Sequence, residues 1–169
     1  MPLHAFVDES FSTDYVVAAA VVPAADVNAA RAALRGVLRP GQRRIHFKDE
    51  RPRREDQVLS VIESLEVTAT VYVTKNERKA RGVCLERMVP DLAAAGVSRL
   101  VLERDESLVR FDRQVLARLT REYCPGLVYE HLRAHSDLLL CVPDAIAWCW
   151  AKGGRWRQRV AGYTVESRT

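Results

Sequence analysis

The sequence predicts a three-layer α/β domain with a mixed central sheet. Three observations lead to this class. Two apolar runs of strand length open the chain and are joined by a short polar segment; apolar runs then alternate with stretches of helical periodicity; and the last periodic stretch is a helix. An antiparallel pair followed by strands that alternate with helices gives strands of both directions, and helices on both faces of one sheet.

The two opening strands are predicted at 3–8 and 15–22, and their almost continuous apolar character indicates that both faces of the pair are covered. Pro23 ends the second strand. A helix is predicted over 24–38, and the polar stretch 42–55 has no assigned structure. The later elements are predicted as helix 55–65, strand 67–73, helix 81–95 with a kink or break at Pro90, strand 97–103, helix 111–123, strand 127–132 and a helix within 136–152.

Length and composition fit one domain over 1–169, because 169 residues with 48% hydrophobic residues can form a single core. Lys and Arg number 26 against 22 Asp and Glu, and the resulting charge of +4 permits a polyanionic partner. The four cysteines show no zinc-ligand spacing and are expected to be buried, reduced thiols.

The sequence also predicts a cytoplasmic protein with no membrane association. No signal-peptide pattern opens the chain, and its apolar runs fall well below the roughly 20 residues of a membrane-spanning helix. The oligomeric state is not predicted.

Three carboxylates stand where a predicted element leaves the core. Asp8 ends the first strand, Glu103 ends the strand at 97–103, and Asp144 lies early in the last helix. Burying such a charge unpaired costs several kcal/mol, so each is expected to meet solvent, a metal or a partner. Asp8 also fits ordinary turn chemistry, and Asp144 after Pro143 also fits the favourable N-terminal end of a helix. Together the three suggest a metal-dependent, phosphodiester-cleaving site.

Four segments carry a resemblance to a known family. They are Phe-Val-Asp8-Glu9-Ser10, Arg-Ile-His46-Phe-Lys48-Asp49, Leu-Val-Leu-Glu103-Arg with Asp112 after it, and Leu-Leu-Leu-Cys-Val-Pro-Asp144-Ala-Ile-Ala-Trp148. In this order they resemble the signature segments of the domain-of-unknown-function 3800 family, which is ribonuclease H-like, over most of the chain from Leu3 to about Trp156.

The resemblance implies a ribonuclease H-like fold in which Asp8, Glu103 and Asp144 hold two Mg²⁺ or Mn²⁺ ions. Magnesium prefers oxygen ligands, and two ions can promote an in-line displacement at phosphorus. The usual acid of the first long helix has no clear counterpart. Asp112 is the expected fourth acid, although it fits a helix cap equally well, whereas Glu86 is interpreted as an exposed helix residue. His135, just before the last helix, is expected to assist proton transfer.

Two basic segments are expected to contact nucleic acid. The first lies in the polar stretch, and the second is the C-terminal segment 152–169, where cations accompany an aromatic ring. A solvated loop and a solubilising tail are the alternatives. The expected contacts are His46, Lys48, Arg53, Arg54, Lys152, Arg155, Trp156 and Arg157.

The functional hypothesis is a divalent-metal-dependent nuclease, or a related phosphoryl-transfer enzyme, acting on DNA or RNA. The alternative is a non-catalytic ribonuclease H-like module that binds nucleic acid or a partner protein. An ATP or sugar-phosphate enzyme is disfavoured because the sequence has neither a P-loop nor a GxGxxG segment.

Overall fold

A six-stranded sheet forms the middle of the molecule. The computed structural model describes all 169 residues. The strands are β1 (Leu3–Phe11), β2 (Asp14–Pro23), β3 (Thr68–Lys75), β4 (Val97–Glu103), β5 (Val128–Leu132) and β6 (Thr164–Arg168). Their order across the sheet is β5-β4-β1-β2-β3-β6. Only β2 runs against the others, because it pairs antiparallel with both β1 and β3 while all remaining pairs are parallel.

Six α-helices cover the two faces of this sheet. They are α1 (Val27–Arg35), α2 (Pro52–Glu63), α3 (Ala80–Ala94), α4 (Val109–Tyr123), α5 (Cys141–Lys152) and α6 (Gly154–Ala161). Short 3-10 turns lie at Ala24–Asp26, Phe47–Asp49 and Leu138–Leu140. None of the helices has the length and apolar character that a membrane crossing requires.

Side-chain alternation along the strands divides the core in two. Phe6 lies in the larger core, which contains the buried residues of α1, α2, α5 and α6. Val7, the next residue of β1, lies in the second core beneath α3 and α4. Successive residues of a strand point to opposite faces, so every residue near the end of β1 is assigned to one layer or the other. This alternation decides which side chains can meet at the functional site.

The predicted order of strands and helices is confirmed as far as β5 and α5, with differences at some boundaries. The expected kink at Pro90 does not interrupt α3, which runs from Ala80 to Ala94. An interior proline loses one backbone hydrogen bond, and the buried Met88, Val89 and Leu92 around it supply apolar packing that offsets this loss. The first helix is shorter than predicted, because a 3-10 turn occupies its start and α1 ends at Arg35.

The C-terminal segment is part of the fold rather than a basic tail. Gly153 and Gly154 have φ of 75° and 54°, conformations that favour glycine, and they allow α6 to begin directly after α5. β6 then pairs in parallel with β3 at the edge of the sheet. The sequence did not predict β6 because Thr-Val-Glu-Ser-Arg is mostly polar, as an exposed edge strand can be.

Candidate active site

Asp8 and Glu103 are neighbours at the carboxyl ends of two parallel strands. Phe6, two residues before Asp8, points towards the α5 side of the sheet, so Asp8 points to that side too. Val7 pairs with Leu102 in the register of β1 and β4. Asp8 and Glu103 follow as the next residues of the two strands, and they therefore share one face and one end of the sheet.

Asp144 joins them from the first turn of α5, the helix that packs across β1. The backbone N–H of Phe47 donates a hydrogen bond of 2.8 Å to Oδ2 of Asp144. Burial raises the pKa of Asp144 to about 6; this hydrogen bond, His46 and Arg44 act against the rise, and the charge of Glu103 adds to it. The polar stretch 42–55, for which the sequence predicted no structure, thus crosses the start of α5 and orients the Asp144 carboxyl group.

Asp8 is the most deeply buried carboxyl group of this site. Its exposed fraction is 7%. Burial, a side-chain hydrogen bond with Glu103, and the charges of Asp144, Glu103 and Glu9 all raise the pKa of Asp8 well above its usual range. A hydrogen bond between two carboxyl groups requires that they share a proton. Adjacent acids share a proton in this way where no positive charge lies between them.

Asp8, Glu103 and Asp144 are called the unpaired cluster here, because none of them forms an ion pair with a side chain of the protein. No three His, Cys, Asp or Glu side chains stand in an arrangement that would hold a metal ion as they are. The unpaired cluster has the oxygen donors that Mg²⁺ and Mn²⁺ prefer, and it has an unneutralised negative charge. Its donor chemistry fits a divalent cation, although its side chains are not in a coordinating geometry.

The expectation that Asp112 is the fourth acid is wrong on geometric grounds. Asp112 is fully buried on the opposite face of the sheet, inside the first turn of α4. Arg81 donates to both of its oxygens, at 2.6 and 2.7 Å, and Nε2 of His131 lies 2.9 Å from Oδ2. Burial raises the pKa of Asp112, but the hydrogen bonds from Arg81 and His131 outweigh it and hold the pKa below its usual value. Both oxygens are committed within the protein.

Glu9 belongs with Asp112 rather than with Asp8. Its Oε2 lies 3.2 Å from Nη1 of Arg81, and the same guanidinium nitrogen donates to the hydroxyl oxygen of Tyr15 at 3.2 Å. Glu9, Arg81, Asp112 and His131 form the paired cluster. Asp8 and Glu9 are consecutive, so alternation along β1 sends one acid to each cluster. The sequence showed that Asp8 and Glu9 are adjacent. It did not show that Arg81 pairs with Glu9 and leaves Asp8 without an ion pair.

A cleft of about 440 Å³ opens beside Asp144. His46 and Lys48 line it from the segment before α2, and Lys152 lines it from the end of α5. Three of the residues expected to contact nucleic acid are therefore next to one acid of the unpaired cluster. The remaining lining residues are Glu9, Ser10, Phe11, Ser12, Trp148 and Ala151.

Arg53 and Arg54 lie elsewhere, in a separate groove next to Asp56. Arg54 is half-buried, donates a hydrogen bond to the backbone oxygen of Val37, and lies 3.7 Å from Glu50. Its guanidinium group thus fixes the start of α2 to the preceding loop. The structure does not bring these two arginines to the cleft.

The C-terminal aromatic and its arginines also differ from expectation. Trp156 has an exposed fraction of 9% and packs edge-on against Phe47 and Trp148, so it is a core residue and not an exposed stacking surface. The Arg155 guanidinium covers its ring at 4.0 Å. Arg157 donates to the backbone oxygen of Trp150 at 2.7 Å. The sequence could not distinguish these contacts because they depend on how α5 and α6 meet.

His135 is exposed in the turn after β5 and lines a different groove, together with Arg31, Arg35 and Arg43. It lies beyond the carboxyl end of its strand, but it does not line the cleft beside Asp144. His46 is the histidine of that cleft, and its Nδ1 lies 2.7 Å from Oδ2 of Asp49.

Two solved ribonucleases share this architecture. The chain superposes on RNase HII in the structure of the PCNA:RNase HII complex from Archaeoglobus fulgidus with a TM-score of 0.63 and 14% identity, over 95% of this chain and 77% of that chain. It superposes on ribonuclease H2 from Pyrococcus horikoshii OT3 with a TM-score of 0.59 and 13% identity, over 95% and 74%. The fold is ribonuclease H-like. No protein-family model and no curated protein matches the sequence.

At these identities the likeness establishes a ribonuclease H-like fold and nothing finer. It agrees with the predicted fold class, a three-layer α/β domain with a mixed sheet. The chemistry of the site depends on the unpaired cluster and on the cleft beside it.

Proposed function

We propose that the protein is a divalent-metal-dependent nuclease that hydrolyses phosphodiester bonds of DNA or RNA. One observation carries the proposal: three carboxyl groups converge at one sheet end, two of them have raised pKa values, and no cationic side chain pairs with any of them. A stable protein does not gain from burying such charges, since an unpaired buried acid costs several kcal/mol. Perturbed acids beside a cleft are typical of functional sites.

Asp8, Glu103 and Asp144 would hold the metal, Mg²⁺ or Mn²⁺. Divalent ions supply charge stabilisation at a phosphoryl group and lower the pKa of water. The protein supplies the rest. The Phe47 N–H orients Asp144, while Lys48 and Lys152 on the walls of the cleft attract the phosphates of a nucleic acid. His46, rather than His135, lies where a proton could be exchanged with a bound substrate.

The resemblance to the domain-of-unknown-function family belongs to the same proposal. We infer membership from the four segments that carry it, two of which supply Asp8 and Asp144 at the sheet end and another the His46 and Lys48 of the cleft. The ribonuclease H-like fold is consistent with that membership.

A second candidate function is a non-catalytic module that binds nucleic acid. It is favoured by the lack of a ready coordinating arrangement among the acids. This alternative keeps the cationic cleft and predicts binding without hydrolysis. Substitution of the acids separates the two candidates.

We predict that Asp8→Asn and Glu103→Gln each lower divalent-dependent cleavage by more than about 100-fold, beyond the effect of losing a group that only supports a ligand. Cleavage of labelled single-stranded and duplex DNA and RNA is measured with Mg²⁺, Mn²⁺ or EDTA. Glu86→Gln is the matched control, since Glu86 is an exposed acid paired with Arg118 at 2.8 Å and should retain full activity. Equal cleavage by wild type and Asp8→Asn contradicts the proposal, and binding without any cleavage favours the second candidate.

A further inference from the structure

One stripe of α5 carries an acid, an aromatic ring and a cation into the same cleft. Asp144, Trp148 and Lys152 are spaced four residues apart, and residues at this spacing lie above one another on one face of a helix. All three line the cleft of about 440 Å³. Each step along the stripe is about one helical turn, or roughly 5.4 Å.

Trp148 packs against two aromatic rings but is not fully buried in the core. Its ring centroid lies 5.2 Å from that of Phe47 and 5.3 Å from that of Trp156, which packs edge-on against it. Trp148 is half-buried, whereas Trp150 and Trp156 are buried. The indole N–H of Trp150 donates to Glu166 at 3.0 Å. Trp148 is thus the tryptophan whose ring reaches the cleft from a fixed position.

The cations beside Trp148 are available to an anionic ligand. Neither Lys48 nor Lys152 forms an ion pair within the protein, whereas Arg155, close to Lys152 in the chain, lies 4.0 Å from Asp56. Nζ of Lys152 lies over the Trp148 ring, 5.9 Å from its centroid. A planar group against this ring would have a positive charge next to it, which is the combination that binds a base and its phosphate.

We propose that Trp148 is a stacking platform for one unpaired nucleobase, with Lys152 and Lys48 holding the adjoining phosphate. The inference rests on the proposed function and deepens it. The nucleic-acid strand would run along α5. The nucleotide on Trp148 would then be next to the phosphate on which the unpaired cluster acts. The ligand is single-stranded nucleic acid or an unpaired end, because a base inside a duplex has both faces covered by its neighbours and cannot reach a ring inside a cleft.

The test measures binding in EDTA, where no cleavage occurs, by fluorescence anisotropy of a labelled single-stranded oligonucleotide and of a blunt duplex. Trp148→Leu keeps an apolar side chain between Phe47 and Trp156 but removes the aromatic face, and Trp148→Phe retains one. Loss of one stacked base corresponds to a fall of roughly 5- to 150-fold in single-strand affinity. We expect this fall for Trp148→Leu, a much smaller one for Trp148→Phe, and little change for the duplex.

Phe111→Leu is the matched control, because Phe111 is 43% exposed and lies on α4, on the opposite face of the sheet. It should bind as the wild type does. Thermal unfolding of each variant verifies that the fold is retained, and the Leu and Phe variants are compared only as folded proteins. Equal affinities of Trp148→Leu and Trp148→Phe, or an equal loss for single strand and duplex, overturn the inference.

The outcomes also separate this inference from the proposed function. If Asp8→Asn abolishes cleavage while Trp148→Leu binds single strands like the wild type, the platform is wrong and the nuclease stands. If Trp148→Leu loses single-strand binding while the wild type cleaves nothing with Mg²⁺ or Mn²⁺, the platform stands on a non-catalytic module.

Discussion

Two groups of acids lie at the same end of the sheet, on opposite faces, and they are treated in opposite ways. The paired cluster surrounds Asp112 with Arg81 and His131, which holds the pKa of Asp112 below its usual value. The unpaired cluster leaves Asp8 and Asp144 without an ion pair, and both pKa values are raised. Consecutive residues, Asp8 and Glu9, enter the two clusters from one strand.

The acids of the paired cluster stabilise the fold, whereas those of the unpaired cluster do not. Breaking a buried, hydrogen-bonded ion pair is strongly destabilising, so the paired cluster is a structural unit joining β1, α3, α4 and β5. Buried acids that no cation neutralises weaken the fold, and acids of this kind are typical of functional sites. The sign of the stability change on removing one acid should therefore differ between the two clusters.

The largest expected effect is on the paired cluster. Arg81→Met leaves Asp112 buried without its guanidinium partner and should lower the free energy of unfolding by about 3 to 5 kcal/mol. Urea denaturation measures this. Arg118→Met is the control on the neighbouring helix surface, because its exposed pair with Glu86 should contribute less than about 1 kcal/mol. Similar losses for both variants would mean that the paired cluster is not a structural unit.

An intermediate effect of opposite sign is expected in the unpaired cluster. Without divalent ions, Asp8→Asn removes a buried acid that no cation neutralises, and should raise the free energy of unfolding by on the order of 1 kcal/mol at neutral pH. Asp112→Asn should lower it by about 3 kcal/mol. Both are measured in urea with EDTA. Destabilisation of similar size by both substitutions would remove the distinction between the clusters.

The smallest effect is a pH dependence. The pKa of Asp144 is raised to about 6 in the folded protein. The metal-free folded state therefore holds a proton that the unfolded state releases, and this contribution to stability is complete below about pH 4 and is lost as the pH rises through about 6. Asp112 acts in the opposite direction, because its lowered pKa gives stability that disappears as the pH falls through it.

The difference in unfolding free energy between wild type and Asp144→Asn isolates this contribution. As the pH rises from 4 to about 6 in EDTA, the wild type should lose stability relative to the variant. A difference that stays constant over this range would show that Asp144 is ionised in the folded state at acidic pH.

Much of the fold followed from local sequence pattern, because the periods of strands and helices are properties of short windows. The fold class is confirmed. Strand-end reasoning singled out Asp8 and Glu103, and the family resemblance added Asp144; the structure brings all three to one end of the sheet, while their role stays a prediction. The pairing of Asp112 could not be foreseen, since Arg81 is 31 residues away along the chain. The burial of Trp156 depends likewise on the contact between α5 and α6.

We propose above all that the unpaired cluster binds a divalent cation. Titration of Mn²⁺ into the metal-free protein near neutral pH, followed by electron paramagnetic resonance, tests it most directly. We predict stoichiometric binding by the wild type and by Glu86→Gln, and a large loss of affinity in Asp8→Asn, which removes one oxygen ligand and its charge. Absence of Mn²⁺ binding by the wild type, or unchanged affinity in Asp8→Asn, would contradict the claim.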